Sequence, residues 1–528
     1  MIEDLRSKHQ PMSRALVPIM VLTLLHQVHA QAPAIAWEKA LGGTAKDEPT
    51  AISPTTDGGS VVAGVSYSDD GDAEDNNGSG DVWVLKLDAL GNVQWEKNYG
   101  GSGLDAARDV IQTSDGGYLI TAFSESSNGD VPMNLGFQDV WVLKLNSAGN
   151  LEWQTVRGGS VQEQPWSCSE TVDGYLIGGS TGSNDNDVSG NHGSFDIWVF
   201  KLDLNGAFQW QQCYGGSASD VLTDAQALGD GGFILAGFSH STDGDVSHYS
   251  AYADYWVVRI DAVGDIVWEN CYGGNSGDGA WSVDPTLDGG FLVCGETQSA
   301  DGMVTNMQGN IDIWVIKLDA SGALEWERAL GGTAIEIGGR AEQLPDGRCV
   351  VVGEAWSTNG DLTGNMGLAD LWVVMLDATG DLIWQKNMGG SMWERGRDLA
   401  ISTDGAILAA GVTSSNDGDV TGYHLPYQFD NSDFWVVKLF PDAVGMSEQA
   451  SSSIQLMPNP AQDQLQVMLD PALAGSRYAI LDVAGRVQHE AVVQATPMDL
   501  DITTLPAGMY TLWILTPDGL LAQRWVKR

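Results

Sequence analysis

Apolar and polar residues alternate along most of this chain in short runs separated by Gly, Asp and Asn. Between residues 34 and 442 nothing carries the 3.6-residue period of an amphipathic helix. The stretch that begins at Ala107 shows the unit plainly. "ARDVIQTS" predicts a strand, closed by the turn "DGG", and "YLITAFS" predicts a second. A polar loop, "ESSNGDVPMNLGFQ", leads to a third strand, "DVWVLKL", and the turn "NSAGN" leads to a fourth, "LEWQTV". In the third strand Trp141, Leu143 and Leu145 fall on one side and Val140 and Val142 on the other. A sheet built on such a strand is apolar on both faces and must be packed between two neighbours.

The unit recurs. Trp37, Trp95, Trp153, Trp210, Trp268, Trp326 and Trp384 follow one another at 57 or 58 residues. The third-strand series is Trp83, Trp141, Trp198, Trp256, Trp314, Trp372 and Trp435; the turn series is Asp57, Asp115, Asp173, Asp230, Asp288, Asp346 and Asp404. Repeats of four antiparallel strands, stacked face to face, predict a propeller: an all-β, seven-bladed ring over residues 34–442. The chain opens on a fourth strand, "AIAWEKALGG", with no first three, and the last copy reaches "DFWVVKL" and its turn without a fourth. Pairing of these ends predicts a ring closed by the N-terminal strand.

Residues 1–30 read as a secretory signal peptide, with Arg6, Lys8 and Arg14 ahead of the apolar run Ala15–Leu25 and small residues at "VHAQA". That run is too short to cross a bilayer, and Met12 opens a cleaner leader than Met1. The mature chain is thus expected to have no transmembrane segment. Its 70 acidic and 25 basic residues give a net charge of -45, which excludes nucleic acid and anionic lipid as partners and favours cations. The five cysteines, Cys168, Cys213, Cys271, Cys294 and Cys349, form no CxxC pair and read as buried thiols in strands.

After a polar linker, 443–454, the pattern shifts to shorter alternating strands with turns at Asn459-Pro460, Ala484-Gly485 and Asp518-Gly519, which suits a small immunoglobulin-like β-sandwich over 455–528. "PNP", "LQV", "DVAGR", "LDITTLPAGMY" and the basic end "VKR" occur there in order. This segment resembles the C-terminal sorting domain of type IX secretion substrates. The resemblance rests on Pro458, Asn459, Pro460, Asp482, Gly485, Arg486, Leu505, Gly508 and Tyr510. It implies export across the outer membrane by the type IX machinery, with release or anchoring at the cell surface. The repeats themselves resemble uncharacterised propeller repeats of bacterial surface proteins, which implies no activity.

Candidate chemistry is expected where the copies differ, because a ligand site on a pseudo-symmetric ring breaks the repeat. The four tryptophans outside both series and outside the tail are Trp166, Trp281, Trp356 and Trp393, all assigned to the face bearing the long loops. The position of Trp166 and Trp281 holds Thr50, Arg108, Thr223, Gly339 and Arg397 in the other copies; that of Trp356 holds Tyr67, His240 and others. Indole rings beside polar groups stack on sugars or anchor protein partners, or else simply pack between blades. The phrases at Asp70/Asp72, Asp185/Asp187, Asp243/Asp245 and Asp417/Asp419 place carboxylates about a central residue. They fit either Ca2+ or a loop turn. Catalytic patterns are absent: His192, His240, His248, His424 and His489 show no HExxH spacing, and "GGSTG" falls in a strand with no helix after it. The expected function is non-enzymatic binding or adhesion to a glycan or protein at the cell surface. The alternatives are a hydrolase or lyase with its site at the ring centre, and a calcium-stiffened scaffold.

Overall fold

A computed structural model describes residues 31–247, 252–424, 431–441, 455–457, 461–469, 471–482, 487–506, 508–516 and 519–527. The predicted signal peptide, the linker 443–454, and Pro458, Asn459, Pro460, Gly485 and Arg486 lie outside these residues. The protein is all-β, with no α-helix among the described residues, and none there long and apolar enough to cross a membrane.

Seven four-stranded antiparallel sheets follow one another through the repeat region. The first is built from Asp47–Pro54, Ser60–Ser66, Asp81–Leu87 and Val93–Tyr99, and the next five repeat that order. The seventh takes Glu394–Ile401, Ile407–Thr413 and Asp433–Leu439, and its fourth strand is Ile35–Leu41. That strand lies antiparallel to the one holding Trp435, with Ala40 opposite Trp435. The Trp435 indole donates to Glu38 Oε2 at 3.0 Å, across 397 residues. Trp141 makes the equivalent bond to Gln154 at 2.7 Å, 13 residues away in one hairpin. The seventh sheet also meets the first: Leu408, Ala410 and Val436 share an apolar cluster with Ile52, Val62 and Leu85, and the Ile52 amide donates to Asp398 Oδ2 at 2.7 Å.

The second and third strands have almost no exposed position, as sheets covered on both faces require. All seven third-strand tryptophans are completely buried. Truncating a buried residue of that size typically costs about 3–5 kcal/mol. Fourth-strand tryptophans join neighbours differently. Gly91, in the outer turn of the first sheet, has φ 78° and lies against Trp37 of the seventh, whose ring a Cβ would meet at 2.8 Å.

The tail forms a three-stranded sheet (Gln455–Met457, Gln464–Met468, Met498–Asp501) and a four-stranded one (Arg477–Asp482, Val487–Val492, Gly508–Thr516, Gly519–Lys527). Leu465, Val467 and Leu500 from the first share a core with Ile480, Leu512, Ile514 and Trp525 from the second. Leu505 and Tyr510 are buried; the Tyr510 hydroxyl donates to the Pro506 carbonyl at 2.8 Å and its ring stacks on Trp525. Asp482 pairs with Tyr510, and Gly508 opens that strand.

Candidate functional site

The first strand of each sheet carries a bulge at the same place. Its ladder to the second strand skips Thr50, Arg108, Trp166, Thr223, Trp281, Gly339 and Arg397 in turn. A bulge leaves one residue unpaired and re-aims its side chain. All seven of these residues line a single cavity of about 340 Å³. The walls of that cavity are therefore the first strands of all seven sheets.

Arg108, Trp166, Trp281 and Arg397 are brought together here. The Arg108 guanidinium lies 4.6 Å from the Trp166 ring centroid and 5.1 Å from that of Phe123. Trp166 and Trp281 meet edge to face, with centroids 6.3 Å apart and planes at 64°. Burial and the Arg397 charge weaken the Arg108 cation, Glu48 supports it, and its pKa sits below the usual arginine value. Burial likewise holds Glu296 above the ordinary carboxylate range, where it faces the Trp281 indole.

The floor was not singled out from the sequence. It is the residue after each bulge: Asp109, Asp224, Arg340 and Asp398 line the cavity, and Asp109, Arg340 and Asp398 also line a second space of about 520 Å³ beyond it. Arg340 reaches Asp224 and Asp398, each at 3.7 Å. Burial opposes its charge, but Asp224, Asp398, Asp284 and Glu342 outweigh that and raise its pKa. Burial pushes Asp398 up to about 6, against the pull of Arg340. These carboxylates also staple sheets together. Asp109 accepts the Cys168 amide at 2.8 Å and Asp224 that of Val283 at 3.0 Å. The same comparison between copies that isolated the bulge position reveals this one, since Ala51, Ser167 and Ser282 stand there elsewhere.

The other candidates lie elsewhere. Trp356 and Trp393 pair with centroids 6.5 Å apart. Arg395 lies 5.6 Å from the Trp393 ring and reaches Glu354, which lines the cavity, at 3.4 Å. These two tryptophans therefore adjoin the cavity without lining it. Tyr67 packs with Val65, Leu104 and Phe123, and His240 is exposed against Phe238. Trp166 and Trp281, expected on the face bearing the long loops, lie inside the strands Glu163–Thr171 and Asp278–Pro285, where the bulge turns them toward the cavity.

The paired aspartates act as loop clamps. Asp70, Asp185, Asp243 and Asp417 each accept a backbone amide at 2.7 Å, from Thr44, Ser160, Ser217 and Ser391. Asp72, Asp187, Asp245 and Asp419 accept the amides of Gly42, Gly158, Gly215 and Gly389 at 3.1–3.5 Å. Among the described residues no group of three or more His, Cys, Asp or Glu side chains is placed to hold a metal ion. The five cysteines are buried free thiols.

Residues 455–528 match the secretion system C-terminal sorting domain, which marks a secreted or cell-surface protein and implies contact with the type IX machinery. No curated protein matches the chain. Among solved structures it is similar to the Pan2 WD40 domain of Neurospora crassa, with 10% identity and a TM-score of 0.42 over 78% of this chain and 98% of that one. It is similar to Sqt1 from Chaetomium thermophilum, with 12% identity and a TM-score of 0.39 over 78% of this chain and 100% of that one. It is also similar to a puromycin hydrolase, with 12% identity and a TM-score of 0.40 over 73% of this chain and 54% of that one.

Proposed function

We propose that this protein is a non-enzymatic binding module displayed at or released from the cell surface. A signal peptide, residues 1–30, delivers it to the periplasm. Residues 34–442 form a seven-bladed propeller closed by its N-terminal strand. A linker, 443–454, joins this to an immunoglobulin-like sandwich, 455–528, that addresses the chain to the type IX route. The cavity receives a glycan or an anchor residue of a surface protein. One observation carries the reading: seven otherwise equivalent positions converge on one space, and there they differ, with two indoles and two guanidiniums. Concave sites lined by aromatic rings with a few placed polar groups are where small ligands bind.

The test is retention of the purified protein on glycan and surface-protein arrays. Trp166→Ala combined with Trp281→Ala is expected to abolish retention while the far-ultraviolet spectrum is unchanged. Trp356→Ala with Trp393→Ala, beside the cavity, is expected to weaken it less. Unchanged retention in the first double variant refutes the reading.

A second reading, a hydrolase or lyase, is favoured by Glu342. It lines the space beyond the floor, and burial, with Asp284 beside it, pushes its carboxyl up to about 7. A carboxyl that holds its proton near neutrality is suited to general acid work. Turnover of a polysaccharide by the wild type, lost in Glu342→Gln, establishes this reading; no turnover on any array ligand removes it.

A further inference from the structure

The cavity departs from the charge of the chain. The protein has 70 acidic and 25 basic residues, yet the seven bulge positions hold two arginines, two tryptophans, two threonines, a glycine and no acid. Following the order of the sheets, Arg397, Thr50 and Arg108 form one arc of the wall. Trp166, Thr223 and Trp281 form the next, and Gly339 leaves the last place without a side chain.

Glu48 supports the Arg108 charge, but it and the other nearby acids have partners of their own. Glu48 pairs with Lys46 at 2.9 Å and Glu354 with Arg395 at 3.4 Å. The floor carboxylates Asp224 and Asp398 face Arg340 and accept backbone amides. Neither Arg108 nor Arg397 has an ion pair among the described residues, and Arg108 Nε is buried with no hydrogen-bond partner. Two guanidiniums of like charge on one cavity repel each other, and the buried Arg108 carries its charge away from bulk water at a cost that Glu48 offsets only in part. A planar or tetrahedral anion between them removes both penalties, because the guanidinium fork matches carboxylate and sulfate oxygens. The neighbouring arc supplies two indoles on the cavity wall, and indole rings suit the C–H face of a pyranose ring.

We propose, on the footing that this cavity is the binding site, that its ligand is an anionic sugar. The ring stacks on Trp166 and Trp281, and the acid group, carboxylate or sulfate, lies between Arg108 and Arg397. The two arginines select for charge and the two tryptophans for the ring.

Titration calorimetry on the purified full chain tests this with four probes: trigalacturonate, its methyl ester, a sulfated galactose trisaccharide and its desulfated form. At least one charged probe is expected to bind roughly tenfold or more tighter than its neutral partner, the range of a charge-assisted hydrogen bond. Whichever pair shows the preference identifies the acid group. Arg397 is exposed, so Arg397→Gln is expected to keep the wild-type melting temperature and to erase the preference, leaving the neutral affinity. Arg108→Gln is expected to act likewise, and Trp281→Ala to weaken charged and neutral probes together. Equal binding within both pairs, no binding of any probe, or a preference that survives Arg397→Gln overturns the proposal. If no probe binds but array retention still depends on Trp281, the cavity stands as a binding site and the acidic-sugar assignment falls. If retention is indifferent to Trp281 as well, both fall.

Discussion

Gly100 sits between two carboxylates. A Cβ there would stand 2.2 Å from Asp81 Oδ1 and 3.0 Å from Asp105 Oδ2, so only glycine lets these groups approach. The arrangement recurs: Gly158 lies between Asp139 and Glu163, Gly389 between Asp370 and Glu394, and Gly42 between Asp433 and Asp47. One acid of each pair caps the long loop, as Asp139 does by accepting the Gly136 amide at 3.3 Å. The other holds the glycine loop, as Asp105 accepts the Gly101 amide at 2.7 Å. Burial, then the facing acid, pushes Asp81, Asp139, Asp370 and Asp433 up to about 6. Groups raised in the folded state stabilise it below their unfolded pKa, and that contribution is lost as pH rises through about 6. Asp115 and Asp288 are held at about 2, so their contribution is lost instead as pH falls below the ordinary carboxylate range. Thermal stability is therefore expected to peak near about pH 4, to decline as pH rises through about 6, and to level off above that. Asp81→Asn is expected to flatten the decline in calorimetric scans. A melting temperature that climbs from about pH 4 to 6 contradicts this account of the facing acids.

Six of the seven sheets tie the third strand to the turn after the first. Lys86 reaches Asp57 at 2.9 Å, Lys144 reaches Asp115 at 2.9 Å, and Lys317 reaches Asp288 at 2.9 Å, with the lysines buried and the aspartates half exposed. In the sixth sheet Met375 takes the lysine place, and Asp346 turns to Arg348 at 2.8 Å instead. An apolar side chain thus fits the slot, and the aspartate is left near water. Lys317→Met is accordingly expected to shift unfolding by less than about 1 kcal/mol, the range of a solvent-screened pair. A loss of several kcal/mol in urea titration shows that the clamp matters more than its exposure suggests. The element level also separates what was legible from what was not. The bulge position was found by comparing copies, because it recurs at constant spacing in one strand. Its direction was not, because a bulge is a property of the ladder between two strands.

At the scale of the molecule, the ends of the repeat region complete one sheet. Without Ile35–Leu41, the strand holding Trp435 becomes an open edge, and the Trp435 indole loses Glu38. Deleting residues 31–43 is expected to abolish cooperative unfolding and to promote association. The milder Glu38→Ala is expected to cost about 1 kcal/mol by chemical denaturation. A deletion variant that remains monomeric with the wild-type melting temperature removes the closing role of this strand. The floor belongs to this scale as well. Arg340 comes from the sixth sheet, Asp224 from the fourth and Asp398 from the seventh; they occupy one position of the repeat, but that they meet is decided by how the sheets are arranged.

The amino-acid order alone determined the strands, their grouping by four, the sevenfold repeat and the tail that matches a sorting domain. Each of these depends on side-chain period or turn chemistry within a few residues, copied along the chain. Tertiary structure alone decided that Arg108, Trp166, Trp281 and Arg397 share one cavity, that Arg340 meets Asp224 and Asp398 beneath them, and that the paired aspartates accept loop amides. Those outcomes depend on distances between sheets, which come from how whole faces pack, and packing leaves no local period to read.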